Sequence, residues 1–122
     1  MEFSKPVRVN TLIILFHDPD FQNECNNHKL LKRHQGDLRA KKIRRRLDDL
    51  KAATNLEMMR SLPGRCHELK GDRHGQLSLD LDHPWRLIFV PADQPPSLKP
   101  DSGIDWEKVL IIKIMKIDDT HE

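Results

Sequence analysis

The residues with most to offer chemically are histidines and arginines in the second half of the chain. His67, Lys70, Arg73 and Arg86 fall within LPGRCHELKGDRHGQLSLDLDHPWRLIFV, and His121 stands beside the last residue. Imidazole titrates near neutrality, so it can take or give a proton at physiological pH. Guanidinium stays charged and presents a planar fork that fits a phosphate. Arg86 is the most telling of these, because it interrupts the apolar run WRLIFV. A charge inside such a run is costly unless it is paired or faces a cleft. It must either pair with Asp80 or Asp82 or turn toward a phosphate. Lys70 and Arg73 flank a glycine turn, where solvated charges are ordinary. His74 and His83 read as solvated turn residues.

These groups need elements to hold them. Val7–Phe16 (VRVNTLIILF) is β-branched and apolar and predicts a strand. Asp18 before Pro19 predicts a helix start. Phe21, Cys25, His28 and Leu31 then recur at helical spacing up to Gly36. Asp37 is expected to cap a second helix whose apolar stripe is Ala40, Ile43, Leu47, Leu50 and Ala53, with its basic residues on the other faces. One further turn is expected over 55–60. After Gly64 the period changes to two. Arg65–Lys70, Leu77–Leu81, Trp85–Val90 and Val109–Ile117 predict four strands, the last two apolar on both faces and therefore central. The segment 91–105, with Pro91, Pro95, Pro96 and Pro100, is expected to be a long loop, and 118–122 a polar tail. The expected fold is α+β: an N-terminal strand, two helices, then an antiparallel β-meander, with the helices on one face of the sheet.

Composition excludes several classes of protein. At 122 residues, the chain is expected to be a single domain spanning 1–122. No apolar run approaches a membrane span, and MEFSKPVRVN lacks a signal-peptide pattern, so the expected compartment is the cytoplasm. Cys25 and Cys66 are too few for a disulfide scaffold and lack partners at metal spacing; Cys25 is expected to fill the core. No Gly-rich phosphate loop and no Gly-x-Ser-x-Gly elbow occurs, so the default is a site without metal or cofactor. Aromatics are 5% and tyrosine is absent, which leaves little for a base-stacking platform. Net charge is only +2, but it is unevenly placed. Lys29, Lys32, Arg33, Arg39, Lys41, Lys42, Arg44, Arg45 and Arg46 crowd one stretch whose only acid is Asp37. Such an end steers encounters with a polyanion or an acidic partner.

The segment His67-x-Leu69-Lys70-Gly71-Asp72-Arg73-x-Gly75, the leucine-alternating strand after it, and Trp85-Arg86-Leu87-Ile88-Phe89 resemble the HigB-type branch of the RelE/ParE toxin superfamily. Asp119-Thr120-His121 stands where many of those toxins end in Asp-Tyr-His. The resemblance implies a RelE-like fold and the toxin component of a type II toxin–antitoxin system. It implies a metal-independent endoribonuclease that cuts mRNA on the ribosome by attack of the 2′-OH on the adjacent phosphorus. Implied partners are an antitoxin of helix-turn-helix, HigA-like type, the ribosome with its mRNA, and operator DNA through the antitoxin only. Carried over residue by residue, the catalytic set is His67, Arg73, Arg86, Asp119 and His121. Lys70 joins Arg73 in the basic pair, and Lys41, Arg44, Arg45 and Arg46 are expected to contact RNA. The reaction needs a base, an acid and fixed cations for the developing phosphorane charge, which these residue types supply. Thr120 replaces the family tyrosine. Two other readings stay open: a ParE-like toxin that poisons gyrase by binding, and a catalytically weakened relative that serves as a binding module.

Overall fold

The structure, a computed structural model, describes residues 11–119. Val7–Asn10 of the expected first strand, and Thr120 and His121, lie outside the described residues. The elements run β1 (Ile13–Phe16), α1 (Pro19–Cys25), α2 (His28–Gln35), α3 (Asp37–Ala52), a 3-10 turn (Leu56–Ser61), β2 (His67–Glu68), a second 3-10 turn (Gly71–Arg73), β3 (Leu77–Asp80), β4 (Trp85–Pro91) and β5 (Ile111–Asp119). The five strands form one sheet in the order β1-β5-β4-β3-β2. Only β1 against β5 is parallel; the rest is the expected antiparallel meander.

Local chemistry explains the helix boundaries and corrects two expectations. Asp18 caps α1 as expected, its carboxylate accepting from Asp20 N at 2.9 Å. The helical period from Phe21 to Leu31 is not one helix. It breaks at Asn26-Asn27, where the Asn27 side chain accepts from Leu30 N at 3.1 Å and starts α2 afresh. An asparagine side chain offers the backbone this alternative to continuing a helix. Asp37 is not a cap either: it is the first residue of α3, behind Gly36, and its carboxylate pairs with Lys32 at 3.3 Å.

The apolar stripe of α3 is buried as expected. Ala40, Ile43, Leu47 and Leu50 pack on Leu77, Leu79, Leu87, Phe89, Ile112 and Ile114 from the sheet. That places the helices on one face and leaves the other to be covered by something else. Arg46 departs from the expectation that it faces out: it is 6% exposed. Helical geometry accounts for this, because position 46 is i+3 from Ile43 and i−4 from Leu50, on the margin of the buried stripe. Its Nε donates to the Asp80 carbonyl at 2.8 Å. Gly64, at φ 114°, lets it through; a Cβ there would sit 2.7 Å from Arg46 Nε.

The strands differ from expectation at their ends. β2 is only His67–Glu68, and β5 runs on through Asp118 and Asp119, which were expected in a polar tail. The two flanking segments of β2 leave the ladder, Arg65 through a left-handed backbone (φ 50°) and Lys70 into the turn at Gly71. No helix among the described residues is long and apolar enough to cross a membrane.

Candidate active site on the open face of the sheet

Cross-strand partners share a face, so register decides which side chains meet. His67 pairs with Ser78, Ser78 with Ile88, and Ile88 with Lys116. Two residues along, Asp80 pairs with Arg86 and Arg86 with Asp118. Leu77, Leu79, Leu87 and Phe89 face the helices, so these two rows lie together on the opposite, open face. Strand geometry puts the His67 and Arg86 Cα atoms about 12 Å apart, close enough for their side chains to address one nucleotide step.

The orientation of His67 is defined by its own backbone neighbourhood. Its Nδ1 lies 2.7 Å from the Arg65 carbonyl oxygen. A carbonyl only accepts, so Nδ1 carries a proton, and in the neutral ring the lone pair is on Nε2. Nε2 is buried and has no hydrogen-bond partner. An imidazole with one nitrogen tied back and the other unpartnered is the arrangement a general base requires.

The cations around it are held by carboxylates. Arg86, 8% exposed, pairs with Asp80, and the alternative Asp82 is instead taken by Arg39 of α3 at 2.9 Å. Register explains the choice, since Asp80 is directly opposite Arg86 on the same face. Asp80 also receives Arg65, with Nε at 3.2 Å. Arg73, on the turn after β2, donates to Asp118 of β5 at 2.6 Å, and Lys116 lies 3.4 Å from the same carboxylate. The Arg73 hydrogen bond is the largest reason the Asp118 carboxyl is held below the usual carboxylate range. Asp118 is the residue that reading the sequence missed. The alternation of β5, continued past Ile117, would have placed it on the face of Lys116.

The remaining expected residues are more scattered. Asp119 pairs with Trp85 and so belongs to the helix side, not to the face of His67. His121 lies outside the described residues. Lys70 is exposed where the chain enters the turn. Lys41, Arg44 and Arg45 are exposed on α3 and, with Asp48 and Asp49, line a groove of about 420 Å³. Arg44 also donates to His28 Nδ1 at 2.7 Å. Since α3 covers the other face of the sheet, this basic surface and the open-face cluster lie on opposite sides of the fold. Arg46 belongs to neither, being buried. His74 and His83 are exposed turn residues. Burial pushes the Cys25 and Cys66 thiols up to about 12, so both are protonated, unreactive packing groups.

No family model matches the sequence, and no curated protein matches it. Solved structures do. A chain of the YoeB–YefM complex from Staphylococcus aureus superposes with a TM-score of 0.52 at 19% identity, over 88% of this chain and 94% of that one. The YoeB dimer from the same organism aligns with a TM-score of 0.48 at 21% identity, over 86% and 92% of the two chains. What the first of these alignments establishes is architecture: this chain has the α+β fold found in the YoeB–YefM complex, three helices laid on one side of a five-stranded sheet.

Proposed function

We propose that this protein is the toxin of a type II toxin–antitoxin pair, of the HigB kind, and that it cuts mRNA on the ribosome without a metal. The observation that carries the reading is His67: Nδ1–H engaged by a carbonyl, Nε2 unpartnered, on the same sheet face as Arg65, Arg73 and Arg86. In this scheme Nε2 takes the proton from the 2′-OH as its oxygen attacks phosphorus. The bond to the 5′-oxygen breaks, leaving a 2′,3′-cyclic phosphate. Arg86 and Arg73 hold the non-bridging oxygens and stabilise the charge that builds on them. His121 is assigned by motif alone, as the acid for the leaving oxygen; Asp119, on the helix side of the sheet, takes no part in the proton transfers. Lys70 and the exposed Lys41, Arg44 and Arg45 bind RNA phosphates, which positions the complex without reading sequence. A likeness to a chain from a two-protein complex supports a cognate protein partner, here a helix-turn-helix antitoxin.

The test is cleavage of mRNA on translating ribosomes, with the new ends mapped and assayed for cyclic phosphate. Wild type should cut, and His67→Ala should lose about 10²–10⁴ of the rate, the usual worth of a positioned base. Wild-type protein that leaves mRNA intact overturns the proposal. One observation favours a binding role instead: Arg86 and Arg73 are both already engaged by carboxylates. Under that reading, gyrase–DNA breaks accumulate while mRNA stays whole.

A further inference from the structure

The open face is roofed, and the roof is the turn between β2 and β3. Leu69 and Ile88 are 1% and 0% exposed, yet neither belongs to the core beneath the helices. Ser78, on the open face between His67 and Ile88, is also fully buried. Something therefore covers this side of the sheet. The Arg73–Asp118 bond says what it is. β2 and β5 are separated by two intervening strands, about 14 Å at the usual spacing, which is well beyond the reach of one arginine side chain. The turn carrying Arg73 must lie back across β3 and β4 for its guanidinium to meet Asp118. His67 Nε2, on the covered face, and Arg73 Nη1, on the turn itself, are each buried without a hydrogen-bond partner. Each such atom costs free energy that a polar ligand would recover. The turn is bracketed by Gly71 at φ 62° and Gly75 at φ 90°, and an added Cβ would meet nothing at either. Glycine serves there for backbone freedom and not for close packing, as at a hinge.

We propose that the Gly71–Gly75 turn is a lid over His67, clamped shut by Asp118, and that a bound phosphodiester opens it by taking the Arg73 guanidinium from that carboxylate. Asp118 is then a positioning residue. It occupies the anion seat of Arg73 until substrate does, so the free protein keeps its base covered. The identity of the ligand as an RNA phosphodiester rests on the nuclease reading above; the lid itself does not.

The experiment reads the lid directly. Wild type, Asp118→Asn, Arg73→Gln and Asp118→Glu are treated with diethyl pyrocarbonate. Modification of His67 is then measured by peptide mass against exposed His83. In wild type His67 should react much more slowly than His83. Asp118→Asn and Arg73→Gln should each raise the His67 rate about fivefold, the scale of one partly exposed ion pair. The double variant should add nothing further, and Asp118→Glu should stay closed. Should Asp118→Asn not fold, Arg73→Gln carries the same test from the other side of the bond. In parallel, hydrogen exchange over 70–76 is followed with an RNA trinucleotide carrying one 2′-deoxy position. Exchange should rise in wild type and be fast beforehand in Asp118→Asn. A His67 rate equal to that of His83 in wild type, or one unmoved by both variants, overturns the lid. No change on adding the trinucleotide overturns opening by phosphodiester. A lid that opens on a protein that never cuts mRNA leaves the lid standing and removes the nuclease; cleavage with His67 rates unmoved does the reverse.

Discussion

Asp80 holds two guanidinium groups of very different burial, and that contrast yields a quantitative prediction. Arg86 is 10% exposed at its side chain, Arg65 is 52% exposed, and Asp80 itself is 32% exposed. Breaking a fully buried pair by removing one partner costs about 3–5 kcal/mol, because a charge is left behind without compensation. Solvent reaches a third of Asp80, so Asp80→Ala should cost about 2 kcal/mol, which is roughly 10 °C in Tm for a domain of this size. Arg65→Ala should cost less than about 0.5 kcal/mol, as exposed pairs do. The decisive measurement is a cycle. In an Arg86→Met background, which keeps the volume and removes the charge, Asp80→Ala should cost less than about 0.5 kcal/mol. Urea unfolding with an unchanged m-value gives each number. If Asp80→Ala costs the same with and without the Arg86 charge, the buried-pair reasoning is wrong.

Other outcomes follow from the same geometry. The Asp118 carboxyl is depressed in the folded state, chiefly by Arg73. Its stabilising contribution is therefore fully present above the unfolded carboxylate value of about 4 and is lost as pH falls through the lower folded value. The stability gap between wild type and Asp118→Asn should be flat above about pH 5 and close on further acidification, as read by urea titrations at each pH. Gly64→Ala should destabilise by about 2 kcal/mol or more, since its φ is 114° and its new Cβ would press on Arg46; a thermal melt checks this. With thiols pushed up to about 12, Cys25 and Cys66 should resist iodoacetamide at pH 8 in the native protein and react on unfolding. Under the proposed function, Lys41→Glu with Arg45→Glu should weaken ribosome binding. The salt dependence should flatten as well, by about one unit of log–log slope for each RNA phosphate no longer neutralised.

Much of this architecture is legible in the chain of residues alone, where neighbours along the chain decide the outcome. The 3.6-residue stripe Ala40-Ile43-Leu47-Leu50 specifies the buried face of α3 whatever it packs on. The alternation Leu77-Leu79 and the two-sided apolar runs in β4 and β5 identify the sheet and its centre. Even the need for Arg86 to find a partner follows from one charge in an apolar strand, although the choice of Asp80 over Asp82 does not. That choice depends on register, which is set by where two distant strands align, and register is a property of the pair and not of either strand. The same is true of Asp118. Its place beside Arg73, Arg86 and Lys116 depends on β5 running past Ile117 and on a turn folding back across two strands. Arg46 shows the limit on the helix side: hydropathy marks it as outward, while the angle at position 46 and the gap at Gly64 bury it. Residue types along the chain determined what chemistry this protein could hold. Only the tertiary structure decided which carboxylates hold its cations, because those pairs meet across strands, and which ring nitrogen of His67 is tied back, because that depends on the left-handed turn of the backbone at Arg65.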